Sequence, residues 1–123
     1  MDGEKIRLIV FMDVGIDEHN NVLLSCVRDD LVDVEAGIID REMGIELEIA
    51  EIRCNSITLC AGGREYLLNR GEEIEFSCWT PYVCSCGGDE RFFYTLSAKR
   101  EAIEDYEKTK LDLSKNYVRS KKK

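Results

Sequence analysis

The sequence predicts a mainly β (α+β) protein, an antiparallel β-sandwich or small barrel of about seven to eight short strands with one C-terminal helix. Three observations predict it. Apolar and polar residues alternate with period two in stretches such as Ile45–Arg53, where Ile45, Leu47 and Ile49 share one face and Glu46 and Glu48 the other. Turn-forming groups, Gly62-Gly63 and Asn69-Arg70-Gly71, separate such stretches at short intervals. Helical spacing with a cap residue is clearest in one long segment, after Ser97.

The elements follow in order. Residues 5–14, KIRLIVFMDV, are rich in β-branched and aromatic side chains and predict a strand that is apolar on both faces near its middle. Gly15 to Asn21 supply a turn, and residues 22–28 a second strand antiparallel to the first. Residues 29–44 are ambiguous. Leu31, Val34, Ile38 and Met43 fall near helical spacing, with Asp29 or Asp30 as N-cap and Gly44 as C-cap. Val32, Val34, Ala36 and Ile38 also alternate with Asp33, Glu35 and Gly37. The β-branched residues and the internal glycine favour a strand followed by a turn.

Further strands are predicted at 45–53, 56–61, 64–69, 72–79 and 91–97. A helix is expected over about 98–113, with a narrow apolar stripe of Ala98, Ala102, Ile103, Tyr106 and Leu113. Residues 1–113 thus form one globular β domain ending in a helix, and 114–123 a basic, disordered tail. A length of 123 residues and 44% hydrophobic content suit one folded core.

The net charge is −8, from 17 bases and 25 acids. Five of the bases (Lys115, Arg119, Lys121, Lys122, Lys123) lie after residue 113, which leaves twelve against all 25 acids in the remainder. Between residues 13 and 51 twelve acids face only Arg28 and Arg41. Such a surface repels polyanions, so direct nucleic-acid binding by the acidic face is not expected; a basic protein partner is. The N-terminal residues do not read as a signal peptide and no apolar run is long enough to span a bilayer, so no membrane association and a cytoplasmic location are expected. In that compartment six cysteines are expected to be mostly reduced.

The stretch CWTPYVCSCGG, 78–88, holds three of those cysteines. Cys78, Cys84, Cys86 and Cys60, or Cys54 in its place, would complete the four soft ligands of a structural zinc site, although Cys84-Ser85-Cys86 is one residue short of the usual knuckle. The same strand patterns place Cys26, Cys54 and Cys78 on core faces as small hydrophobes. A redox pair at Cys84/Cys86 lacks a nearby base apart from Arg91.

His19 is the single histidine and lies in a polar turn, so a nucleophile–histidine site finds little support. Asp29, Asp30, Asp33 and Glu35 lack the twelve-residue calcium-loop pattern. The expected function is a non-enzymatic, small acidic binding module that engages a basic protein, as an inhibitor, an immunity-type protein or an accessory subunit. Its contact residues are expected to be Asp29, Asp30, Asp33, Glu35, Glu46 and Glu48, with Trp79 and Tyr82 as aromatic anchors. No cofactor belongs to that reading. The alternative is a small metal-binding protein with structural zinc in the 78–86 turn.

Overall fold

The computed structural model describes residues 4–35, 37–40, 47–79 and 93–120. Among them lie nine strands and one helix: β1 Glu4–Ile16, β2 Val22–Val32, β3 Gly37–Asp40, β4 Leu47–Ile52, β5 Ser56–Ala61, β6 Arg64–Asn69, β7 Glu73–Trp79, β8 Phe93–Ala102, α1 Ile103–Thr109 and β9 Asn116–Arg119. They build two antiparallel sheets that pack as a sandwich. One has five strands in the order β7-β8-β1-β2-β9, the other four in the order β3-β4-β5-β6.

The four-stranded sheet is a simple meander, as its short turns dictate. Gly62 and Gly63 join β5 to β6 with φ of 60° and 80°, a two-residue turn whose left-handed backbone suits glycine. The five-stranded sheet closes a long-range pairing instead. Here β8 returns to pair with β1 from Glu4↔Ala102 to Met12↔Tyr94.

The core lies between the sheets. Even-numbered residues of β1 (Ile6, Leu8, Val10) and β8 (Tyr94, Leu96, Ala98), with Phe76, meet Leu47, Ile49, Ile57, Leu59, Ala61 and Leu68 from the other sheet. Tyr66 and Phe76 stack with ring centroids 4.0 Å apart, joining β6 to β7.

Two irregularities bend the β1–β2 ribbon. The register shifts between Val10 and Phe11 and again between Asp13 and Gly15. A bulge of this kind turns the following side chains to the other face. Leu24 and Cys26 therefore share a face with Phe11 rather than with Val10, and are buried away from the inter-sheet core. The Phe11 ring meets the Tyr117 ring of β9 edge-on at 5.8 Å. The bending brings the two edge strands of the larger sheet towards each other, so that Arg119 on β9 reaches Glu75 on β7 at 3.6 Å.

Two expectations change, and the ambiguous stretch 29–44 follows its strand reading where it is described. Residues 98–102 continue β8 instead of opening a helix, and α1 is confined to Ile103–Thr109. Pairing with β1 satisfies this backbone, with Ala98 facing the core and Lys99 and Glu101 the outer face. The stretch expected to be a disordered tail contains β9, anchored by its pairing with Val22–Ser25. Within 29–44, β2 runs on to Val32 and β3 occupies Gly37–Asp40, so the described part of that stretch is strand and bend.

Candidate functional site

The sequence-predicted contact residues do not form one face. Asp29 is buried, with 3% exposure, on the outer side of the five-stranded sheet. Asp30 points to the opposite side of the same strand and accepts a hydrogen bond from Arg28 Nε at 2.9 Å. Asp33 is exposed and pairs with Lys5, and Glu35 is exposed. Glu48 belongs to the other sheet. Placing Asp29 on an acidic outer face is thus corrected, because its carboxylate has a partner inside the fold. Glu46, Tyr82, Cys84 and Cys86 lie outside the described residues, as do the side chains of Cys78 and Trp79.

Asp29 belongs to a buried ion cluster around Arg7. A base in the middle of the apolar strand β1 must find acceptors, since an unpaired buried charge is costly. The register supplies them. Asp29 lies opposite Ile9 on β2, and Glu101 lies opposite Lys5 on β8, each diagonal to Arg7. Arg7 Nε and Nη2 donate to Asp29 Oδ1 and Oδ2 at 2.9 and 2.8 Å, the fork-on-fork geometry of strong pairs. Nη1 donates to Glu101 Oε2 at 2.9 Å and to Thr109 Oγ1 at 2.7 Å, and Nη2 also donates to Thr109 O at 2.9 Å. All five guanidinium N–H groups are thereby used.

Asp29 accepts further bonds, from Leu111 N to Oδ2 at 2.7 Å and from Tyr106 OH to its backbone oxygen at 2.8 Å. Lys99 Nζ completes the cluster at 2.9 Å from Glu101 Oε1. The Asp29 hydrogen bond, with its charge and that of Glu101, raises the Arg7 pKa against the opposing effect of burial. With every donor occupied, Arg7 offers nothing to a ligand. The cluster's work is to fasten α1 and the chain after it to the sheet.

The open site is the outer face of the four-stranded sheet. Inward residues Ile57, Leu59 and Ala61 leave Ser56, Thr58 and Cys60 outward on β5. Glu48 on β4 and Glu65 on β6 lie directly opposite Cys60, one on each side, and both are exposed. Strand spacing sets the two carboxylates' backbones about 10 Å apart. Glu51, opposite Thr58 and exposed, extends the row and accepts a bond from Arg53 at 2.9 Å. Partial burial, then the charges of Glu65 and Glu48, raise the Cys60 thiol above its ordinary pKa. That keeps it protonated and poorly nucleophilic at neutral pH.

Cys60 was expected as a metal ligand. No group of three or more His, Cys, Asp or Glu side chains is arranged to hold a metal among the described residues. The rest of its proposed ligand set, Cys78, Cys84 and Cys86, falls outside the described side chains. Cys26 is buried as expected, but Cys54, expected in the core, is exposed beside the β4–β5 turn. Burial is the main cause that raises the Cys26 thiol pKa. His19 is exposed in the β1–β2 turn, its amide bonded to Asp17.

Sequence reasoning missed Arg7, Lys99, Glu101 and Glu65, whereas Glu51 closes the acidic run that the sequence shows. A lone arginine between Ile6 and Leu8 was the available signal for the ion cluster. Glu65 needed the β5–β6 register to bring it beside Cys60. No helix among the described residues is long and apolar enough to cross a membrane. No protein-family model matches the chain, and neither does any curated protein or solved structure.

Proposed function

We propose that the protein is a non-enzymatic binding module that presents the carboxylate row of its smaller sheet to a basic protein partner. The observation that supports this reading is the placement of Glu48 and Glu65 on either side of Cys60, with Glu51 beside them, on an exposed sheet face. A regular sheet holds carboxylates at fixed spacing, which suits lysine and arginine side chains arriving from a partner and steers their approach. Asp33, paired with Lys5, follows β2, and Glu35 is exposed just before β3, the strand beside β4.

The test is residue mapping by NMR with an arginine- and lysine-rich peptide as probe. Amide shifts are expected to concentrate on β4, β5 and β6. Binding is expected to collapse when salt rises from about 0.1 M to about 1 M, as the screening length shrinks from about 10 Å to about 3 Å. Glu48→Lys with Glu65→Lys should abolish it, whereas Glu18→Lys with Glu104→Lys, exposed positions outside that sheet whose change alters the net charge equally, should leave most of it. Equal losses in the two variants would reduce the acidic face to a net-charge effect and overturn the reading.

A further inference from the structure

We propose that the C-terminal segment Ile103–Arg119 is a detachable strap, latched by Arg7, which opens as one unit while the sandwich stays folded. Three independent observations carry it. The inter-sheet core ends at Ala98 and takes no residue from the segment. Within residues 103–119 only Tyr106, Leu111 and Tyr117 are even half-buried, and every other side chain is exposed. The seven-residue helix α1 buries nothing and has no side-chain N-cap bond at Ala102, so it cannot persist by itself.

What holds the segment is mostly polar and sits at a few points, with one ring contact, Tyr117 on Phe11. Arg7 grips Thr109 through its hydroxyl and its carbonyl, while Tyr106 OH and Leu111 N grip Asp29. The cations of Arg7 and Lys110 lie 5.2 and 5.7 Å from the centre of the Tyr106 ring. Beyond that point β9 adds a four-residue pairing with β2, and Arg119 adds its contact with Glu75.

The apolar surface that opening about Ala102 uncovers is the small outer-face patch of Phe11, Leu24 and Cys26 beside Tyr117, which is separate from the inter-sheet core. Opening also returns Arg7, Asp29 and Glu101 to water, which recovers much of their hydration. The same motion uncovers the backbone edge of β2 over Val22–Ser25, where β9 pairs when the strap is closed. Absence from the inter-sheet core and few anchoring points are the marks of a unit that opens below the global unfolding limit.

Hydrogen exchange on the full chain, read residue by residue, tests this. Amides of α1 and of Asn116–Arg119 should exchange through one common opening, more than about tenfold faster than those of Ile57 and Leu59. The double substitution Thr109→Val with Tyr106→Phe removes strap contacts and leaves Arg7 paired with both carboxylates. It should speed α1 and β9 together, again by more than about tenfold, with β5 unchanged. If β5 accelerates equally, the segment belongs to the global unit and the proposal fails. If α1 responds without β9, the two are separate pieces and it fails as well.

Discussion

Arg7 and Leu59 are both buried, but the two residues stabilise the fold by different means. Leu59 is fully enclosed between the sheets, with 0% exposure, so truncation to alanine leaves a cavity that the surrounding strands can only partly fill. Leu59→Ala is expected to lower the unfolding free energy by about 2–5 kcal/mol. Breaking a buried ion pair from one side ordinarily costs about 3–5 kcal/mol, because the surviving charge stays buried. Arg7→Met leaves Asp29 and Glu101 without their guanidinium, but release of the strap above them lets both carboxylates hydrate. The global loss should therefore stay below about 3 kcal/mol and below that of Leu59→Ala. Chemical denaturation followed by tryptophan fluorescence and by circular dichroism measures both variants. An Arg7→Met loss equal to or larger than that of Leu59→Ala would show that the carboxylates cannot escape burial. Arg7 also marks what the sequence concealed. A base inside an apolar strand announces a buried partner, but only the register shift after Val10 and the return of β8 reveal which acids provide it.

Among the elements, the strands with strict alternation were legible because a half-buried sheet imposes period two on its sequence. The β4, β5 and β6 meander follows that rule and its turn residues. The helix was legible only in part: Ser97 resembles a cap and Ala98 and Ala102 resemble a helical stripe, but long-range pairing with β1 overrode those local preferences. Asn116-Tyr-Val-Arg carries β-prone residues in its middle, yet the surrounding lysines masked them, and Phe11 stabilises Tyr117 from over a hundred positions away. The β1–β2 turn is local and allows a sharper test. Asp17 Oδ1 accepts from the amides of His19 and Asn21 at 2.8 and 2.9 Å, beside Asn20 in a left-handed conformation with φ of 67°. The Asn21 amide bond is the main cause that holds the Asp17 carboxyl below its ordinary 3.8, joined by the His19 amide and opposed by partial burial. A carboxyl held lower in the folded state adds stability above its unfolded pKa and loses it as pH falls through the folded value. Asp17→Ala is therefore expected to lower the denaturation midpoint at pH 7, with a difference that shrinks below about pH 4. A difference that grows on acidification would contradict the bonding of this turn.

At the scale of the whole molecule, the ion cluster around Arg7 is balanced in charge and the surplus of acids lies outside it. Arg7 and Lys99 balance Asp29 and Glu101 within the buried cluster, so the net charge of −8 resides elsewhere. Exposed pairs such as Lys5–Asp33 and Arg53–Glu51 each contribute about 0–1 kcal/mol and weaken as salt is added. Repulsion among the surplus carboxylates also weakens with salt, and that change favours the folded state. With 25 acids to 17 bases the repulsive contacts outnumber what the exposed pairs can offset. Raising sodium chloride from about 0.01 M to about 0.3 M, which takes the screening length from about 30 Å to well under 10 Å, should therefore raise the thermal midpoint. The row on the smaller sheet allows the effect to be localised. Neutralising it with Glu48→Gln and Glu65→Gln should raise the midpoint at low salt and flatten its dependence on salt, since the two side chains flank Cys60 without a cation between them. Calorimetry at the two salt concentrations reads both effects. A midpoint that falls with added salt would mean that attractive pairs govern the surface, and the carboxylate row would then be balanced within the fold and have little negative potential to offer a partner.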